Sequence, residues 1–161
     1  MIMEILTNQN PLLRKTSKPL AKITKETREL VSNMEETMRA APGIGLAAPQ
    51  VGELLRIIIA DIGDGIHVLI NPKIVKKSGH QTLIEGCLSL PGIEAPIERA
   101  GKVTVKALDL SGKQIVIEAE QLLATVFQHE VDHLDGKLFI DRVKDPNLIT
   151  YKPKTPKEEA I

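Results

Sequence analysis

Aromatic side chains are nearly missing: 161 residues hold no Trp, one Tyr (Tyr151) and two Phe (Phe127 and Phe139). A base-stacking nucleic-acid module therefore lacks its usual platform, and any core must be built from Ile, Leu, Val, Met and Ala. Net charge is absent too, with 21 basic side chains against 21 acidic. That removes the general argument for a phosphate-backbone partner and leaves only local basic patches. A single cysteine, Cys87, cannot form an intramolecular disulfide, so a stapled secreted scaffold is disfavoured and a reducing compartment fits best. No apolar run approaches the roughly 18 residues of a membrane span. The segment Met1-Ile2-Met3-Glu4-Ile5-Leu6 has neither the basic n-region nor the long apolar h-region of a signal peptide. The expectation is a compact cytoplasmic protein with no membrane association and no specific nucleic-acid partner.

Composition shifts only near the end, where Lys152-Pro153-Lys154-Thr155-Pro156-Lys157-Glu158-Glu159 reads as solvated tail. One folded domain over residues 1–145 and a Lys/Pro-rich tail over 146–161 are expected. Between Thr24 and Ala40, Leu30, Val31, Met34 and Met38 recur three or four positions apart. With Thr24 as N-cap and Pro42-Gly43 as stop, that spacing predicts a helix. Leu54 to Ala60, His67 to Ile70, Lys102 to Leu108 and Gln114 to Ala119 are short alternating or β-branched runs between turn residues, and read as mostly antiparallel strands. Asp109 to Lys113 joins the last two as a hairpin. A second helix is predicted from Glu120 to His133, punctuated by Gly136. Strands grouped between two helices give an α+β fold: antiparallel sheets packed around the second helix, plus an N-terminal helix.

The second helix carries His129-Glu130-Val131-Asp132-His133, an H-E-x-x-H pattern. Residues four apart on a helix differ by about 40° around its axis, so both imidazoles can aim at one ion while Glu130 reaches a water beside it. Two solvated histidines on a helix are the bland alternative. A catalytic centre of this type holds three protein ligands and leaves one position for water. The pattern continues through Leu134-Asp135-Gly136, but Phe139 stands where a metzincin needs its third His. A thermolysin-like third ligand fails as well, since the only later glutamates are Glu158 and Glu159 in the tail. Cys87 remains as a candidate, although a lone cysteine is most often a small buried hydrophobe.

Three segments in order, Gly43-Ile44-Gly45-Leu46-Ala47-Ala48-Pro49-Gln50, Glu85-Gly86-Cys87-Leu88-Ser89 and Gln128-His129-Glu130-Val131-Asp132-His133-Leu134-Asp135-Gly136, resemble the signature motifs of the peptide deformylases. The Pro11-Leu12-Leu13-Arg14 segment resembles the family's N-terminal region. The resemblance implies one divalent metal ion on Cys87, His129 and His133, with Fe2+ expected and Zn2+, Ni2+ or Co2+ able to take its place. It implies hydrolysis of the N-formyl group from the formylmethionine of nascent polypeptides. Glu130 is then the acid/base, and the Gln50 amide and Leu88 N–H steady the oxyanion. The Gly43 to Gln50 segment, otherwise a glycine-rich turn, would supply an edge for an extended substrate, making Ile44 and Gly45 contacts with Gly86 across the cleft. Leu122 and Val126, on nearly the same helical face as His129, are candidates for the methionine pocket or for ordinary core. His67 and His80 have no ligand spacing and are assigned no function.

The likeness weakens past Gly136. Many bacterial deformylases end in a basic helix that docks on the ribosome, whereas Pro146, Pro153 and Pro156 oppose a helix here. A weak ribosome contact through the tail lysines and a monomeric state are the expectations. Two readings of another class compete: a non-catalytic metal-stabilised binding module, and a general metallopeptidase. Glu130 and Gln50 favour catalysis over the first, because a structural site needs neither group. A formyl end group needs room on only one side of the amide, unlike the second.

Overall fold

The computed structural model describes residues 1–151 and 161. The first helix, α1, spans Lys25–Ala40. Its start is fixed by Thr24, whose Oγ1 accepts the Thr27 N–H while Thr27 Oγ1 accepts the Thr24 N–H. This reciprocal pairing satisfies two donors that the first turn would otherwise orphan.

Then come the strands β1 (Gly45–Ala47), β2 (Ile57–Ala60), β3 (His67–Ser78), β4 (Gln81–Cys87), β5 (Leu90–Arg99), β6 (Lys102–Leu108) and β7 (Gln114–Glu120). The helix α2 (Gln121–Leu134) and the short strand β8 (Thr150–Tyr151) complete the order. Five strands form one antiparallel sheet in the order β1-β2-β3-β6-β7, and three form another, β4-β5-β8. The fold is α+β.

The large sheet is buried on both faces at β1 and β2, and β2 records this residue by residue. Ile58 and Ala60 join the cluster containing Val126 and Phe127 of α2. Ile57 and Ile59 join the cluster containing Val31, Met34 and Met38 of α1. Alternate side chains of a strand point to opposite faces, so α2 covers one side of the sheet and α1 the other. The small sheet has its own core, Cys87, Leu90, Ala95 and Ile97 packed with Leu138 and Phe139. The site lies where these units meet.

Both helices and the β6–β7 hairpin fall where the sequence places them; the other strands differ in instructive ways. Of Leu54 to Ala60 only Ile57–Ala60 is strand, because Leu54 and Arg56 bond instead to Lys18. The run at His67 to Ile70 continues to Ser78 despite Asn71-Pro72. Asn71 takes a left-handed φ of 52° at a register shift, and its amide binds Leu20 through both N–H and C=O. A bulge thus absorbs what reads as a turn. β4 and β5 were hidden by Gly86, Pro91 and Pro96. β8 pairs only with Ile93 and Glu94, so Pro96 lies where the strand has one neighbour, which tolerates a proline.

Gly136 ends the α2 segment at φ 72°, packed so closely on the Arg14 carbonyl that a Cβ has no room. Beyond residue 145, Pro146–Leu148 form a 3-10 turn and β8 follows. The remainder of the expected tail, residues 152–160, lies outside the described residues. No helix among the described residues is long and apolar enough to cross a membrane.

Candidate active site

α2 presents His129, Glu130 and His133 on its buried side, and β4 delivers Cys87 at its end. One donor atom from each of Cys87, His129 and His133 lies within 4.8 Å of the others. Cys87 Sγ and His133 Nε2 are 3.4 Å apart, matching the edge of roughly 3.4 Å expected for a tetrahedron built on metal–ligand bonds of about 2.1 Å. His129 Nε2 is buried with no hydrogen-bond partner among the described residues, whereas its Nδ1 meets Glu85 Oε1 at 2.8 Å. A carboxylate on one ring nitrogen fixes the tautomer that leaves the other as a lone-pair donor. His133 has no such brace, its Nδ1 being buried without a hydrogen-bond partner among the described residues; a thiol and two imidazoles suit a divalent transition-metal ion.

The electrostatics point the same way. Burial, reinforced by the nearby charge of Glu130, pushes the Cys87 thiol up to about 12. Burial and the neighbouring Glu85 raise Glu130 well above the usual carboxylate range. Burial, then His129, holds His133 well below the ordinary imidazole value. A dication among these groups favours thiolate and carboxylate and keeps the imidazoles neutral. Both Glu130 oxygens are buried without a hydrogen-bond partner among the described residues. Such orphaned acceptors are rare and call for an explanation in function.

Gln50 is fully buried on the 3-10 turn Ala48–Val51 that follows β1. Its Oε1 accepts the Ala47 N–H at 2.9 Å, which turns Nε2 towards Ser89 Oγ at 3.1 Å and Cys87 Sγ at 3.7 Å. The amide orientation follows from that backbone donor, which can only give a proton. The Leu88 N–H donates to the Ile161 main-chain oxygen at 3.2 Å.

Among the described residues β1 is an edge of the large sheet, with β2 as its one neighbour, so Ile44 and Gly45 border a strand edge that no other described strand pairs. Gly45 has a second role invisible in sequence: a Cβ there would stand 2.5 Å from Glu130 Oε2 and 2.9 Å from Val126 Cγ1. Gly86 is roomier, its nearest neighbour being the Ile93 carbonyl at 3.6 Å from a built Cβ. Val126 is fully buried, while Leu122, one turn earlier, is 39% exposed and stands at the rim.

The sequence did not flag the ionic chain behind His129. Arg99 forks onto Glu85 through Nε at 2.6 Å and Nη2 at 2.9 Å, and its Nη1 reaches Asp132 at 3.0 Å. Arg142 in turn grips Asp132 at 2.6 and 2.7 Å. The Arg99 and Glu85 side chains are 3% and 0% exposed. Glu85 and Asp132 lie inside the quoted motifs, which was the available signal; Arg99 and Arg142 had none. His67 and His80 sit apart from the cluster, paired with Asp64 and Glu98.

Residues 2–148 match the family described as polypeptide deformylase. The chain is 49% identical over 150 residues to a peptide deformylase of Dictyoglomus thermophilum, covering 93% of this chain and 98% of that one. The crystal structure of a peptide deformylase from Legionella pneumophila superposes with a TM-score of 0.88 at 44% identity, over 91% of this chain and 88% of that one. One from Synechococcus elongatus, in complex with actinonin, superposes with a TM-score of 0.88 at 40% identity, over 90% and 80%. Likeness of this extent, over a chain whose three separated motifs close around one buried junction, means that the protein belongs to the polypeptide deformylase family, enzymes that hydrolyse the N-formyl group from new polypeptides.

Proposed function

We propose that this chain deformylates formylmethionyl peptides at the junction of Cys87, His129 and His133, which hold the metal ion. The observation that carries the assignment is Glu130, a carboxylate buried beside that cluster without a hydrogen-bond partner among the described residues. When bound, the ion supplies Lewis acidity and lowers the pKa of water, generating a nucleophile near neutral pH. Fe2+ is the proposed native ion, with Zn2+, Ni2+ and Co2+ as functional substitutes.

Glu130 accepts the proton from the attacking water and returns it to the departing α-amine. Both of its oxygens are buried with no other hydrogen-bond partner among the described residues, which leaves them free for these two transfers. Gln50 Nε2, aimed by the Ala47 N–H, and the Leu88 N–H donate to the oxygen that gains charge at the formyl carbon. Fixed donors in a buried site need no reorganisation as that charge develops. The peptide lies extended along the β1 edge beside Ile44 and Gly45, with Gly86 opposite. Its methionine side chain packs on Val126 with Leu122 at the mouth. Action in the cytoplasm on nascent chains, as a monomer with a weak ribosome contact through the tail lysines, completes the reading.

The test is release of formate from formyl-Met-Ala-Ser by the metal-loaded protein. Turnover that collapses in Glu130→Ala while metal content is retained supports the assignment; equal turnover in the variant overturns it. Element analysis of anaerobically purified protein decides the ion. Iron lost in air together with activity supports Fe2+, and stable zinc with full turnover opposes it.

A further inference from the structure

Ile161 is 6% exposed, although it lies ten residues beyond Tyr151 in the sequence. Its side chain belongs to the apolar cluster that contains Ala47, Leu123 and Val126, with Ile44 packed against that cluster. Its main-chain oxygen takes the Leu88 N–H at 3.2 Å. These two attachments coincide with the two that the proposed cleft offers a formylmethionyl peptide: an apolar surface at Val126 for an aliphatic side chain, and a backbone donor at Leu88 for a carbonyl oxygen. A buried N–H without an acceptor is costly, so something must satisfy Leu88 when no peptide is bound. In this structure Ile161 does so.

We propose that Ile161 is an intramolecular competitor, occupying the position of the substrate's formyl oxygen and first side chain and leaving when a peptide enters. The proposal rests on the assignment of Leu88 and Val126 to the substrate cleft. A ligand that needs a minor, open state binds more weakly by the fraction of molecules in that state. Among the described residues the resident contributes one aliphatic side chain and one hydrogen bond, so the penalty on substrate is modest, on the order of threefold to thirtyfold in KM. Turnover at saturating substrate is unaffected, because Ile161 has left before the reacting groups engage.

The experiment compares the full-length metal-loaded protein with Ile161→Asp and Ile161→Leu. Aspartate discards the apolar contact, and leucine keeps it. The expected result is a KM for formyl-Met-Ala-Ser lowered about tenfold in Ile161→Asp, unchanged in Ile161→Leu, with kcat alike in all three. Amide hydrogen exchange at Leu88, read without substrate, gives a measure independent of activity. Protection in the parent that is unchanged on dilution, and lost in Ile161→Asp, supports the proposal. Equal KM values, equal Leu88 exchange, or protection that fades on dilution overturn it. If no variant releases formate, the reaction assignment fails by itself, and Leu88 exchange with competition by Met-Ala-Ser still decides whether Ile161 holds the cleft.

Discussion

Glu85 and His129 stand 44 residues apart in the chain and 2.8 Å apart in space, and through this contact the buried ionic chain of Arg99, Asp132 and Arg142 reaches the Cys87, His129 and His133 group that could hold a metal. The carboxylate spends one oxygen on both the imidazole and the guanidinium, and the other on Arg99 alone. Ring orientation, tautomer and charge balance at His129 therefore depend on a residue that touches neither metal nor substrate.

Glu85→Gln removes this charge while keeping the side chain's shape. Metal affinity is expected to fall about 10–100-fold, the usual effect of losing a partner that orients a ligand. Arg99 loses one of its two carboxylate partners and keeps Asp132 at 3.0 Å, so the stability cost stays below the about 3–5 kcal/mol of a fully unpaired buried charge. Chelator competition and urea unfolding measure the two losses separately, and metal affinity equal to the parent's would contradict the positioning role.

Gln50→Ala removes the side-chain donor proposed for the oxyanion and keeps the Cys87, His129 and His133 side chains, losing the 3.7 Å contact to Cys87 Sγ. The expected loss is about 10²–10³ in kcat with a smaller change in KM. Steady-state kinetics on formyl-Met-Ala-Ser decide it; a change confined to KM would assign Gln50 to ground-state binding instead.

Gly45→Ala and Gly86→Ala form a contrasting pair. The first places a methyl 2.5 Å from Glu130 Oε2, so the carboxylate must turn away, and a displacement near 1 Å costs on the order of 10² in rate. The second meets nothing nearer than 3.6 Å and keeps its stability, with any effect confined to KM. Kinetics and thermal unfolding of both variants test this, and a fully active Gly45→Ala would refute the packing argument.

The raised Glu130 pKa makes a prediction about pH in the metal-free protein. The folded state holds a proton that the unfolded chain releases near its usual value of 4.5. Stability from this group is complete below that pH and is lost as pH rises towards the folded pKa. Glu130→Gln, neutral throughout, should therefore gain stability relative to the parent as pH climbs above about 4.5. Urea midpoints of the two metal-free proteins across the pH range read the difference; a constant gap would mean that Glu130 is not shifted.

The two helices and the β6–β7 hairpin were legible because their signals are local. Thr24 caps its own helix, the apolar stripes have helical period, and the hairpin strands join through a short polar turn. β4 and β5 were not, because Gly86, Pro91 and Pro96 oppose a strand locally and are tolerated only once neighbouring strands are in place. His129, Glu130 and His133 were readable from one helical spacing. Cys87 needed the resemblance, since its partners are more than forty residues away.

The sequence by itself determined the chemistry available: which side chains can bind an ion, which can carry a proton, and which helix presents them together. These follow from covalent identity and from spacing along one helix. The tertiary structure alone decided that Arg99 and Glu85 would brace His129, that Gly45 would make room for Glu130, and that Ile161 would meet Leu88. Each of these joins residues distant in the chain, and their closeness arises when both faces of one sheet are buried against helices that carry no local record of the partner.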